Sequence, residues 1–346
     1  MEKKIKLIQK VLKDYEMLLI DNPQEVYDIL NLKVSMNMGE YDASMLIGRK
    51  KAYVICDQLL YSSISKTKGV IAIKADSYEY LKNNRLFLKE WKSVLSENKI
   101  TKLGLTNMSL DGIFKEVFTF HFISPSKTLG RIKEESEITK IKTLAKKMKK
   151  LFEFAENSLE EGMSDVRLRN LIDEEIYSLS CDRRYLPTYI GFDAKSIYPT
   201  LSGEKLKSGS IVLIDAGIMN EGMGLSFSSS IKFKGLSKEK EKIFRTAKDG
   251  LDVILSFVNE NSTPSDADFA FREYLARHRM KDNSLEYAVS FFAPAETGEI
   301  NSVTEKSRFA AGQIVKATSS VFIPNTSGAR FEAIVLIKGK SNEKIM

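Results

Sequence analysis

Apolar residues recur along this chain in two periods, and the alternation between the periods sets out the architecture. Residues 5–15 place Ile5, Ile8, Val11, Leu12 and Tyr15 at three- and four-residue steps, the spacing of one buried helix face. Met17-Leu18-Leu19-Ile20 is a short unbroken apolar run closed by Asp21-Asn22-Pro23, which predicts a buried strand and a turn. Residues 52–56, 69–73 and 102–105 read as further strands, and residues 77–98 carry helical spacing. Short strands and helices in alternation over residues 1–125 predict a compact α/β domain.

Ser124-Pro125-Ser126 marks a boundary, because proline interrupts both kinds of element and such polar stretches carry linkers. A second domain then occupies residues 126–346. Ile138, Ile141, Leu144, Met148, Leu151, Phe152 and Ala155 trace one side of a long helix, and residues 164–179 predict another with Ser164 as its N-cap. Residues 210–217 form a β-run, and Asn220-Glu221-Gly222 predicts a hairpin turn into residues 224–233. Two more helices follow, the second opening at Thr263-Pro264, a cap with proline in the first turn. The chain ends β-rich, over residues 286–293, 313–323 and 328–338, and shows no solenoid-type repeat.

Composition narrows the class. A chain of 346 residues with 43% apolar and 29% charged residues is expected to be a soluble globular protein large enough for two cores. No apolar run reaches the roughly 18 residues of a membrane helix, so no membrane association is expected. The start, Met1-Glu2-Lys3-Lys4-Ile5, leads into an amphipathic pattern rather than a secretory signal, and a cytoplasmic location is expected. Cys56 and Cys181 are far apart and lack metal-ligand spacing, as expected of two reduced thiols. Of the net charge of +7, much lies in residues 127–150, with nine basic and three acidic side chains. No interleaved aromatics or arginine cluster accompany it, so it reads as a solvated helix face and nucleic acid is not the expected partner.

Five segments, in order, carry a resemblance. Leu129-Gly130-Arg131-Ile132-Lys133-Glu134-Glu135-Ser136-Glu137-Ile138 is similar to an "LR-x-IK-s-xx-EI" entry into a long helix. Glu161-Gly162-Met163-Ser164-Asp165 is similar to a "G-x-T/S-E" turn. Residues 209–217 resemble "GD-x-V-x-x-D-x-G", Ala311-Gly312-Gln313 resembles "pGM", and Gly328-Ala329-Arg330-Phe331-Glu332 resembles "G-x-R-x-E". Together they are similar to the creatinase, aminopeptidase P and prolidase superfamily. The resemblance implies an α+β chain: a C-terminal pita-bread domain preceded by a smaller creatinase-like α/β domain. It also implies a homodimer.

Active members of that superfamily hold two divalent metals with two aspartates, a histidine and two glutamates. Carboxylates suit this work because two close cations need bridging anionic oxygens. Carried over by the resemblance, the first aspartate falls on Asp215 and the second, eleven residues on, on Ser226. The first glutamate falls on Thr318 and the second, fourteen residues on, on Glu332. The "HG-x-GH" segment that supplies the histidine corresponds to Val289-Ser290-Phe291-Phe292-Ala293-Pro294-Ala295-Glu296, which has none. The substrate-side histidine falls on Thr200, and the chain's two histidines, His121 and His278, match neither motif.

Neutral hydroxyls at Ser226 and Thr318 bring no charge to offset a cation's dehydration. The expectation is therefore no cofactor, or at most one weakly held divalent metal, on the remnant positions Asp215, Ser226, Thr318 and Glu332. The remnant cleft would comprise Asp215, Glu332, Arg330 and Thr200, with Glu332 paired to Arg330 or to a backbone donor. Two functions follow from different classes. One is a peptidase homologue that binds a peptide or protein ligand without cleaving it. The other is a divergent hydrolase cleaving an amide or Xaa-Pro bond with one metal or none, using Asp215 and Glu332 as an acid–base pair.

Overall fold

The computed structural model describes residues 2–12, 15–30, 32, 42–83, 86–115, 117–121, 133–197, 203–284, 286–291, 306–339 and 341–346. The chain forms two compact units, the first ending within the linker region and the second holding the rest of the described chain. The boundary expected at residues 125 and 126 falls in 122–132, outside the described residues.

The first unit is built on strands β1 (Met17–Ile20), β2 (Ala43–Gly48), β3 (Ala52–Cys56), β4 (Ile71–Lys74), β5 (Lys102–Leu105) and β6 (Phe118–His121). They lie in the order β4-β3-β2-β1-β5-β6, with β2 antiparallel to both β1 and β3 and the other pairings parallel. Helices α1 (Glu2–Val11), α2 (Pro23–Leu30) and α3 (Gln58–Ile64) supply Ile5, Ile8, Val26 and Ile64 to a core with Leu18, Ile20, Met45, Ile47 and Val54. The alternate residues Met17, Leu19, Leu46 and Ile55 join a second core around Trp91 and Phe87. Burial on both faces is why these central strands read as unbroken apolar runs.

Three local expectations change. The first helix stops at Val11 instead of reaching residue 15. Tyr15 packs instead against Phe120, with ring centroids 5.5 Å apart, and the Glu16 amide already donates to the Lys102 carbonyl at 3.0 Å. Residues 77–98 form two helices, α4 (Ser77–Lys82) and α5 (Leu88–Glu97), because Asn83 closes the first by donating its side-chain amide to the Glu79 carbonyl at 2.7 Å. The Asp21-Asn22-Pro23 turn also starts α2, with proline in the first helical position, where its missing N–H costs nothing.

In the second unit, strands β7 (Arg183–Arg184), β8 (Tyr189–Phe192), β9 (Ser210–Asn220), β10 (Met223–Phe233), β11 (Val289–Phe291), β12 (Ile314–Ile323), β13 (Ser327–Lys338) and β14 (Ser341–Lys344) form one sheet. Its order is β11-β12-β13-β10-β9-β7, with β14 beside β13 and β8 beside β9. Two helix pairs cover it. The first pair, α6 (Glu135–Asn157) and α7 (Asp165–Ser178), buries Ile141, Leu144, Met148, Leu168 and Ile172 with Ile214 and Ile218. The second pair, α8 (Lys238–Ser256) and α9 (Pro264–Arg277), buries Ile243, Leu251, Phe271 and Leu275 with Val315, Val321 and Val335.

The caps are those the sequence predicts. Ser164 accepts from the Arg167 amide, and Thr263 forms a capping box with Asp266 ahead of Pro264. On α6 the basic stretch is partly spent within the fold: Lys142 Nζ lies 2.6 Å from Glu343, and Lys147 Nζ donates to the Ser180 carbonyl at 2.7 Å. Among the described residues no helix is long and apolar enough to cross a membrane.

Trp91 is 1% exposed and its indole N–H donates to the Ser44 hydroxyl at 2.8 Å. Trp91→Ala is expected to destabilise the first unit by roughly 3–5 kcal/mol, the cost of a large core cavity. The measurement is urea unfolding followed by circular dichroism, since Trp91 is the chain's single tryptophan and its fluorescence would be lost.

Candidate functional site

The site is assembled by two hairpins whose registers follow from their turns. Between β9 and β10 only Glu221 and Gly222 intervene, with φ of 51° and 75°, so Asn220 pairs with Met223. Two left-handed residues make the tight turn whose twist matches the flanking strands. That register sets Ser228 opposite Asp215 and Ser226 opposite Gly217. The two-residue period then puts Asp215, Ser226 and Ser228 on one face.

In the second hairpin Thr318 lies opposite Glu332 and Ser320 opposite Arg330, with Lys316 two residues from Thr318 on the same side. Gly328 opens this hairpin's second strand where a Cβ would stand 2.1 Å from the Phe322 ring, so only glycine lets the strand pass.

These faces bring charged groups together. Arg330 Nη1 donates to Asp215 Oδ2 at 3.1 Å, and Arg330 Nη2 pairs with Glu286 Oε1. Glu332 has three partners of its own. Its Oε2 accepts the Ser228 backbone N–H at 2.8 Å, while its Oε1 accepts the Thr318 hydroxyl at 3.3 Å and lies 3.3 Å from Lys316 Nζ. Two cations thus face three carboxylates. Glu332 is the most enclosed, with its side chain 5% exposed, against 25% for Asp215 and 28% for Glu286. The latter pair therefore form the accessible part of the cleft.

Glu286 is held from behind. Arg272 on α9 donates to the carbonyls of Ser284 and Glu286 at 2.6 and 2.5 Å. It also pairs with Asp268, whose other oxygen accepts the Ala288 amide at 2.9 Å. A helix-borne ion pair thereby fixes the backbone on both sides of Glu286, and the Ser284 hydroxyl bonds that of Ser320 at 2.9 Å.

Electrostatics follow from this crowding. Burial pushes the Asp215 carboxyl up to about 6, with Glu332 adding to the rise and Arg330 and Lys316 opposing it. Burial likewise raises Glu286 against the pull of Arg330. For Lys316, burial favours the neutral amine, but Glu332 and Asp215 outweigh it and the net direction is upward. Both cations therefore remain charged beside carboxylates, one of which titrates near neutrality.

The positions expected from the resemblance are distributed as follows. Asp215, Ser226, Thr318, Glu332 and Arg330 share the sheet faces just described. Of the two partners expected for Glu332 the backbone donor holds, as the Ser228 N–H, while Arg330 turns instead to Asp215 and Glu286 and the cation beside Glu332 is Lys316. The reason is geometric: Arg330 and Glu332 are neighbours along one strand, and each reaches across to a different strand or loop. Thr200 and residues 292–296 lie outside the described residues. Where β11 is described, at the segment expected to supply a histidine, it carries Val289, Ser290 and Phe291. His278 caps α9, with its ring bonded to the Tyr274 carbonyl at 2.9 Å.

Sequence reasoning missed Lys316 and Glu286. The signal for Lys316 was a lysine inside the apolar run Ile314-Val315-Lys316-Ala317. Glu286 gave none, since its place depends on Arg272.

A two-domain α+β chain whose second unit sets a cluster of carboxylates on a sheet covered by two helix pairs defines the pita-bread class. The profile of metallopeptidase family M24 matches residues 139–339, and the chain belongs to that family. It is 24% identical over 223 residues to an uncharacterized peptidase of Staphylococcus saprophyticus, a match covering 63% of each chain. A Staphylococcus aureus counterpart is also 24% identical, over 222 residues, again with 63% of each chain covered. The match thus spans just under two thirds of the curated relatives' length.

Among solved structures, an Xaa-Pro dipeptidase from Bacillus anthracis superposes with a TM-score of 0.87 at 17% identity, covering 99% of this chain and 96% of the other. The prolidase from Pyrococcus horikoshii gives 0.83 at 15% identity, covering 99% and 97%. Identities this low carry the fold, over both domains, and nothing finer.

A carboxyl whose pKa is raised on folding binds its proton more tightly in the folded state. Its contribution to stability is therefore greatest at low pH and falls as pH rises from the ordinary aspartate value, about 4, through about 6. Asp215→Asn cannot ionise, so it should lose less stability than the parent chain across that interval. Urea unfolding at several pH values measures this, and parallel curves for the two proteins would remove the raised titration.

Proposed function

We propose that this chain is an M24-family homologue that binds a peptide or protein ligand in the cleft of its second unit and does not act as a dimetal peptidase. The observation that carries the reading is the state of Glu332. Its two oxygens are taken up by the Ser228 N–H, the Thr318 hydroxyl and the Lys316 ammonium. Asp215, the other retained acid, is tied to Arg330.

A pair of divalent metals does not fit this set. Two close cations require several anionic oxygens to bridge them. Here the aligned positions Ser226 and Thr318 offer neutral hydroxyls, and the two carboxylates already neutralise fixed cations. No chemical step is therefore routed through metal. The chain's own residues offer a recessed floor of hydrogen-bonding groups, with Arg330 and Lys316 as donors and Asp215 and Glu286 as acceptors. Such a set suits a ligand carrying both kinds of polar group, as a peptide does.

The reading is supported by the family membership and by the likeness in fold to a prolidase and to a protein named for Xaa-Pro dipeptides. One observation favours the divergent hydrolase as a second reading. Asp215 titrates near neutrality and Glu286 is also raised, as a metal-free acid–base pair would need.

Assays of Xaa-Pro dipeptides and tripeptides, with manganese, with cobalt and with chelator, against an Asp215→Ala control, decide between these. The expected result is no turnover above the control in any condition, with peptide binding still detectable by calorimetry and weakened by Arg330→Ala. Turnover that needs added metal would overturn the proposal outright. Turnover in chelator, lost in Asp215→Ala, would replace it with the hydrolase.

A further inference from the structure

We propose that the Lys316 ammonium is a built-in cation: it supplies among the carboxylates the positive charge that a metal would otherwise bring, and by doing so closes the site to divalent ions. This extends the reading of the cleft as metal-free, and it concerns a residue that none of the five aligned motifs contains.

Asp215, Glu286 and Glu332 are three acids within one cluster, and Arg330 answers only the first two directly. Without Lys316, Glu332 would keep a backbone N–H and a hydroxyl as partners, and no cation. Its side chain is 5% exposed, so water cannot replace that charge.

Geometry supplies the second strand of argument. Lys316 lies on the strand that also carries Thr318, on the same side, and both reach Glu332 Oε1 at 3.3 Å. The ammonium thus stands against the very oxygen that a cation held by the aligned positions Thr318 and Glu332 would use.

Ile314, Val315 and Ala317, which flank Lys316, are fully enclosed, and on its own side of the strand Lys316 is followed by the buried hydroxyls of Thr318 and Ser320.

Removing the ammonium should leave Glu332 a buried carboxylate with no facing cation beside the Thr318 hydroxyl, a charge that an added divalent cation can meet. The experiment compares the full-length parent chain with Lys316→Ala and Lys316→Arg, using manganese itself as the probe. Metal retained after desalting is measured by elemental mass spectrometry, and Tm is recorded in chelator and in manganese.

The parent chain and Lys316→Arg are expected to retain no manganese and to show the same Tm in both conditions. Lys316→Ala is expected to melt lower in chelator, to recover in manganese with a saturable dependence, and to retain one ion per chain. Should Lys316→Ala fail to fold in chelator, rescue by manganese supports the proposal and failure of rescue overturns it.

Manganese bound by the parent chain would overturn both this inference and the metal-free reading. A folded Lys316→Ala that gains nothing from manganese would overturn this inference alone. Peptide turnover by the parent chain in chelator would overturn the non-catalytic reading and leave the role of Lys316 standing.

Discussion

Carboxylates that share a poorly hydrated space repel one another, and folding must answer them with protons or cations. In the second unit that requirement governs everything around the cleft. Arg330 bridges Asp215 and Glu286, Lys316 answers Glu332, and burial, with the charge of Glu332 behind it, raises the Asp215 carboxyl. Buried ion pairs of this kind add little over an apolar core of the same shape. Breaking one by removing a single partner, however, costs roughly 3–5 kcal/mol, because the other charge is stranded. The cluster is thus better seen as an interdependent set than as a sum of contacts.

That interdependence extends outward through the scaffold. Glu286 sits on no strand, and its position relies on the Arg272–Asp268 pair of α9 gripping the backbone at 284, 286 and 288. The helix in turn is fixed by its Thr263–Asp266 capping box and by Phe271 and Leu275 in the core. On the other side, the two-residue turn at Glu221 and Gly222 decides which residues of β10 face Asp215. A one-residue slip there would carry Ser226 and Ser228 to the opposite face.

Much of the architecture was legible in the sequence because it is written in short-range chemistry. Caps such as Ser164 and Thr263, the hairpin at Asn220-Glu221-Gly222, and the apolar runs of the central strands each act within a few residues. The misread elements were those settled by distant partners. Tyr15 fits a helical phase, but Phe120, more than a hundred residues away, takes its ring. The continuous helix expected over 77–98 breaks because Asn83 offers its side chain to the last turn, a competition that periodicity alone does not register.

The site was legible as positions and illegible as pairings. Spacing across each hairpin, from Asp215 to Ser226 and from Thr318 to Glu332, keeps the members of each pair on one face of the sheet. Which acid meets which base depends on the approach of one hairpin to another and of a helix to a loop, which no local pattern encodes.

This bears on what the retained acids mean. Asp215 and Glu332 invite a catalytic interpretation because the resemblance carries ligand positions onto them. Yet Glu332 also holds the Ser228 amide and balances Lys316, and Asp215 balances Arg330, so each has a structural reason to remain. Replacing Glu332 would strand Lys316 and a buried N–H, and replacing Asp215 would leave Arg330 with Glu286 alone. Their presence is accounted for without chemistry. The informative residue is the lysine beside them, whose ammonium stands 3.3 Å from Glu332.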